Sequence, residues 1–159
     1  MSDTVEAMDD VIPENAVVVG HDGSADSDEA LVSALELADQ LNAPVVVVRA
    51  WTISTAPRPA DWKFGYVSSS DDLQKAVYDE LVGDVRDCVE RFPNVKVSYL
   101  AKQGSAAGTL TELSRTARIL VVGSRGLGGF AEMVLGSVSD QVVRHAHCSV
   151  LVTKSRAGR

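Results

Sequence analysis

The sequence predicts an α/β fold, a mainly parallel sheet with helices on both faces, and three observations lead to it. Five short apolar runs rich in β-branched residues recur along the 159 residues, and such runs read as strands. Between them apolar residues return at spacings of three and four, the mark of helices with one buried face. Runs such as Val45-Val46-Val47-Val48 show no polar alternation, as strands covered on both sides require. Strict alternation of strand and helix then calls for right-handed crossovers.

The elements follow in order. Residues 1–14 are acidic, with neither the basic start nor the apolar stretch of a signal peptide, and read as a flexible tail before a domain over 15–154. The first strand is expected at Ala16 to Val19. The first helix carries Leu31, Ala34, Leu35, Ala38 and Leu41, with Asp26 and Glu29 as its capping pair. A second strand spans Val45 to Trp51. Thr52 to Ser70, with its Pro, Ser and aromatic content, reads as a long loop; Trp51 at its border and Trp62, Phe64 and Tyr66 within it can cover a ligand, dock a partner or simply pack. The second helix runs through Leu73, Val77, Leu81, Val85, Cys88, Val89 and Phe92, which places Cys88 in the core. A third strand at Val95 to Leu100 and a third helix from about Ser105 through Leu110, Leu113 and Ala117 come next. The fourth strand is Ile119 to Val122, the fourth helix about Ser137 to His145, and the fifth strand Ser149 to Thr153. Residues 155–159 form a basic tail.

Bulk properties restrict function. With 15 Lys and Arg against 22 Asp and Glu the net charge is −7, which repels nucleic acid as a whole but leaves room for a small phosphate ligand at a helix N-terminus. Cys88 and Cys148 form no CxxC, so reduced thiols in a cytoplasm are expected. No apolar run approaches a membrane span. His145, His147 and Cys148 are possible metal ligands in one short turn, but no fourth joins them, and a surface turn is the better reading.

In parallel sheets ligands bind beyond the carboxyl ends of strands, where the strand order reverses. Two loops there carry chemistry. After the fourth strand stands Val122-Gly123-Ser124-Arg125-Gly126, then nine residues, then Gly136-Ser137-Val138-Ser139. Small residues let the backbone approach an anion, and Gly136-Ser137 opens a helix whose first N–H groups lack intrahelical partners. Ser137 and Ser139 can add hydroxyl donors, and Arg125 a positive charge. A flexible loop capped by Ser137 would share this pattern. After the first strand stands Gly20-His21-Asp22-Gly23-Ser24. Here Asp22 can hold a ribose hydroxyl or a phosphate-bound Mg²⁺, or merely stabilise a turn.

Rival classes lack their residues. No Lys follows a glycine as in GxxxxGK[ST], Ala101-Lys102-Gln103 offers no phosphoacceptor, and GHDGS is not GxGxxG. A hydrolase is harder to exclude, since Asp22 could bind Mg²⁺ and His21 could shuttle a proton. Yet no Ser–His–Asp or paired-carboxylate set assembles near the glycines, so any ATP hydrolysis is expected to be slow.

On Gly123, Gly126, Gly136 and Ser137 the chain resembles the universal stress protein family, from about Val17 to Val152. ATP-binding members carry Gly, two residues, Gly, nine residues, then Gly and Ser or Thr. The resemblance implies a Rossmann-like (adenine nucleotide alpha hydrolase-like) five-stranded parallel sheet of order 3-2-1-4-5. It implies an ATP-binding stress-response or signalling module, with AMP or cyclic AMP as alternatives. By position, Gly20, His21 and Asp22 would approach adenine and ribose, and Ala50 and Val122 would line the base. Gly123, Arg125, Gly126, Gly136, Ser137, Val138 and Ser139 would hold ribose and phosphates. His21 departs from the apolar residue or Thr common at its position, and His147 and Ser149 stand where many members have proline. A homodimer through the edge strand Ser149 to Thr153 is also expected, since an apolar edge invites pairing and members commonly dimerise there.

Overall fold

The computed structural model describes residues 12–57, 69–125 and 135–154. Gly126, Trp62, Phe64, Tyr66, most of the N-terminal tail and the basic C-terminal tail lie outside these residues. Nine elements alternate: β1 (Val17–Gly20), α1 (Ala25–Leu41), β2 (Val45–Trp51), α2 (Ser70–Glu90), β3 (Val97–Gln103), α3 (Ala106–Leu113), β4 (Ile119–Gly123), α4 (Ser137–His145) and β5 (Ser149–Thr153). The five strands form one parallel sheet of order β3-β2-β1-β4-β5.

Strand side chains alternate between faces, and the core divides accordingly. Val17, Val19, Val45, Val47 and Val121 pack against Leu31 and Leu35 of α1 and Leu81 and Val85 of α2. On the other face Val18, Val46, Val48, Leu120 and Val122 meet Leu110 and Leu113 of α3 and Val142 of α4. Each valine run is thus covered on both sides, which explains its lack of polar alternation. Cys88 packs at the margin of the first layer, as its place in the apolar pattern predicts.

Several boundaries differ from expectation for local reasons. The cap of α1 is Ser24, whose Oγ accepts the Ser27 N–H at 3.2 Å; Asp26 already lies inside the helix. Ser24 takes the extended backbone that a cap needs, whereas Asp26 and Asp28 occupy the first turn, where acidic groups complement the helix dipole. Helix α2 stops at Glu90 rather than Phe92, where Phe92 turns back to donate to the Val89 carbonyl and Pro93 follows. Val95 belongs to that turn, donating to the Phe92 carbonyl, so β3 begins later than its apolar residues suggest. Beyond Leu113 the chain leaves α3 through a turn.

Gly83 occupies an exposed position inside α2, and a Cβ built on it meets no atom within 4 Å. Gly83→Ala is therefore expected to raise stability by about 0.5–1 kcal/mol, because alanine loses less backbone entropy on entering a helix. Urea unfolding checks this; a lower midpoint would show that the position is not open.

Candidate functional site

The order β3-β2-β1-β4-β5 makes β1 and β4 neighbours while the chain leaves them in opposite directions. The loops after β1 and β4 consequently leave adjacent strand ends, the place where parallel sheets hold ligands. Close contact confirms this meeting: a Cβ on Gly123 would stand 2.9 Å from the carbonyl oxygen of Asp26, in the first turn of α1. Glycine at 123 is thus what lets the helix after β1 approach the end of β4.

The β4 loop is stitched to α4. Ser124 is buried; its N–H donates to Thr153 O at 2.8 Å, and its carbonyl accepts the Gly136 N–H at 2.5 Å. The buried Ser139 hydroxyl lies 3.0 Å from the Ser124 carbonyl and 3.1 Å from that of Gly136, so its single proton is directed inward. Ser139 accordingly anchors the first turn of α4 rather than offering a donor outward. Ser137 is exposed and Val138 half-buried beside it.

Helix capping separates α4 from its neighbours. Ser24, Ser69 and Ser105 each accept a backbone N–H at the start of α1, α2 and α3, and Ser69 forms a full capping box with Asp72. Among the described residues α4 has no side-chain cap; Gly136 fills that position with extended backbone. Its only first-turn acid, Asp140, pairs with Arg144 at 3.2 Å. Among the described residues, the N-terminus placed beside β4 is therefore the one that no side chain caps.

The β1 loop is rigid for different reasons. Gly20 allows close packing of α3, since a Cβ there would fall 2.9 Å from a Leu110 methyl. Asp22 Oδ1 accepts the Ser24 N–H at 2.9 Å, and Gly23 adopts φ +87°, which favours glycine. The His21 ring, expected at a base edge, is instead buried beneath the loop with its side chain 1% exposed. Nε2 lies 2.7 Å from Asp28 Oδ1, and Nδ1 lies 2.6 Å from Arg49 Nη2. The physical reason is that a buried ring needs partners for both nitrogens, and α1 and β2 supply them. Half-buried Ala50 and buried Val122 lie on β2 and β4, and half-buried Arg125 directly follows Ser124.

Arg49 is the residue that sequence reasoning missed. Its signal was present: a lone arginine after Val45 to Val48, in a strand expected to be covered on both faces, demands buried partners. Elsewhere, no three His, Cys, Asp or Glu side chains among the described residues are grouped to hold a metal ion. Burial pushes the Cys148 thiol above its ordinary value, which disfavours the thiolate. Among the described residues no helix is long and apolar enough to cross a membrane.

The fold defines a doubly wound α/β protein whose β1 and β4 loops leave the sheet at its topological switch point. Residues 15–154 match the model of the Universal stress protein family, and the chain belongs to that family. The universal stress protein Rv2623 of Mycobacterium tuberculosis is 32% identical over 140 residues, covering 87% of this chain and 44% of the relative. Rv2005c, a universal stress protein of the same organism, is 33% identical over 153 residues, 94% of this chain and 50% of its own. The chain thus spans about half the length of these curated relatives. Among solved structures, a universal stress protein in complex with cAMP superposes with a TM-score of 0.65 at 25% identity, covering 90% of this chain and 98% of that one. The universal stress protein UspA from Lactobacillus plantarum gives 0.68 at 17% identity over 89% and 99%, a likeness of fold.

Proposed function

We propose that the crevice between the ends of β1 and β4 binds an adenine nucleotide, ATP in the first instance. The protein would then act as a nucleotide-dependent stress-response module rather than a turnover enzyme. The observation that carries this reading is the uncapped N-terminus of α4, tied by Ser124 and Gly136 to the end of β4. Such an end presents backbone N–H groups and the positive pole of the dipole to an anion, whatever the net charge of the chain. The cAMP-bound relative supports an adenine nucleotide as ligand. ATP is placed first because Gly123, Gly126, Gly136 and Ser137 resemble the pattern of ATP-binding members.

In this reading Ala50 and Val122 line the base and Gly20 and Asp22 approach the ribose. Gly123, Arg125, Gly126, Gly136, Ser137 and Val138 surround the phosphates, while Ser139 and His21 hold the loops in place. The residues present suit Mg²⁺ carried by the phosphates: Asp22 offers one carboxylate, and Mg²⁺ commonly uses one or two together with phosphate oxygens and water.

Calorimetry with ATP, AMP and cyclic AMP tests the assignment. ATP is expected to bind most tightly, and Asp22→Ala to weaken binding roughly ten- to a hundred-fold if the carboxylate meets ribose or Mg²⁺. Equal or tighter binding of cyclic AMP would move the assignment to the single-phosphate alternative. With Mg²⁺-ATP, ADP release should stay far below the ~1–10³ s⁻¹ of ordinary enzymes. Turnover in that range, abolished in Asp22→Ala, would make the protein a hydrolase.

A second copy of the chain is the expected partner, paired through β5. That strand is a sheet edge, and Leu151 on it and Val143 on the adjoining α4 are both large apolar residues left exposed. Antiparallel pairing of two β5 strands about a twofold axis would satisfy the edge and stop growth at two subunits.

A further inference from the structure

We propose that Arg49 is a positioning residue of the nucleotide site: it chelates His21 through ring and carbonyl, fixes the loop that presents Asp22, and so sets nucleotide affinity. This rests on the nucleotide-binding reading above.

One guanidinium grips His21 twice. Arg49 Nε donates to the His21 carbonyl at 3.1 Å, and Nη2 donates to ring Nδ1 at 2.6 Å. The His21 N–H donates to Val48 O at 2.8 Å, so the residue is pinned at backbone and side chain alike. The tautomer follows from the partners. Arginine can only donate and an ionised Asp28 can only accept, so Nδ1 is the acceptor and Nε2 carries the hydrogen. The Gly23 N–H adds a 3.3 Å contact to the same Nδ1. Arg49 is oriented in turn from α2, with Nη1 at 2.9 Å from Asp84 and 3.8 Å from Glu80.

The grip reaches the site through short covalent steps. His21 immediately precedes Asp22, whose carboxylate holds the Ser24 N–H; Ser24 caps α1, and the Asp26 carbonyl of that first turn abuts Gly123. A turn of His21 would displace Asp22 and the start of α1 together. Lysine cannot substitute, because a single ammonium cannot span the His21 carbonyl, Nδ1 and Asp84 as a planar fork does.

The experiment compares ATP affinity by calorimetry for Arg49→Lys, His21→Asn and His21→Gln at a temperature where each is folded. Asparagine places an amide oxygen near the position of Nδ1 and so retains an acceptor for Arg49. Glutamine reaches toward Asp28 instead. Arg49→Lys and His21→Gln are expected to weaken ATP binding roughly ten-fold or more, and His21→Asn distinctly less than His21→Gln. Long-range ¹H–¹⁵N spectra should report the Nε2–H tautomer in the wild type. Backbone amides of Asp22 and Gly23 should exchange faster in nucleotide-free Arg49→Lys. Wild-type affinity in both Arg49→Lys and His21→Gln, or equal losses in the two His21 variants, overturns the proposal. If the wild type binds no adenine nucleotide, the nucleotide reading falls, and so does the effect of Arg49 on affinity. The loop amides then decide whether Arg49 positions the loop at all, and unchanged exchange would end that idea too.

Discussion

Replacing Gly123 with alanine is expected to lower the stability of the fold by about 1–3 kcal/mol, the usual penalty for forcing volume into a packed site. The new Cβ would stand 2.9 Å from the Asp26 carbonyl oxygen and 3.1 Å from its carbonyl carbon. Both are backbone atoms, so no rotamer change relieves the contact and α1 itself must move. Its first turn follows the loop holding Asp22 and Ser24, and ATP affinity should fall along with stability. In urea the midpoint should drop while the slope stays constant, because the surface exposed on unfolding hardly changes. Gly83→Ala, a glycine substitution of the same size in open space, should move the midpoint the other way. An unchanged midpoint in Gly123→Ala would mean that the ends of β4 and α1 do not meet as closely as described.

The second large effect concerns assembly. Val150→Pro is expected to convert a homodimer into a monomer while leaving the fold intact. The Thr153 carbonyl accepts the Ser124 N–H at 2.8 Å, so at Thr153 the backbone of β5 faces the β4 side. Successive residues of a strand direct their backbone groups to opposite sides. Leu151 therefore also faces β4, whereas the N–H groups of Val150 and Val152 point out from the edge. Proline is tolerated at edges where the lost N–H faces outward, so Val150→Pro removes a donor from the proposed interface only. Leu151→Pro would instead cut the β4–β5 ladder and reduce stability. Light scattering at micromolar concentration, with circular dichroism to confirm folding, separates these outcomes. A monomeric wild type refutes the interface, and a dimeric Val150→Pro places it elsewhere.

Much of the architecture was legible in the chain itself. Valine runs and leucine spacings report local burial, and local burial repeats with the period of the element, so five strands and four helices could be read directly. Their alternation implies parallel strands, and the spacing of Gly123, Gly136 and Ser137 singles out one loop after a strand end, although a helix start merely capped by serine would share part of that pattern. Element ends were less legible, as Val95 and Phe92 show: both are apolar, yet they fill a turn that packs on the core.

What tertiary structure alone decided is which polar groups spend their hydrogen bonds inside the protein. Ser137 and Ser139 look equivalent in sequence as phosphate donors, but the Ser139 hydroxyl is directed to Ser124 and Gly136 while Ser137 is exposed. His21 looks like a loop residue aimed at a ligand, but its ring is held by Asp28 and by Arg49, 28 positions away. Asp26 looks like a cap, but Ser24 has the backbone angles for it. The direction of each N–H along β5 likewise follows only from its pairing with β4. The physical reason is common to all four cases: hydrogen bonds are directional and short, so their allocation depends on atoms brought within about 3 Å by folding, whereas hydrophobic patterning is non-directional and survives in the order of the residues.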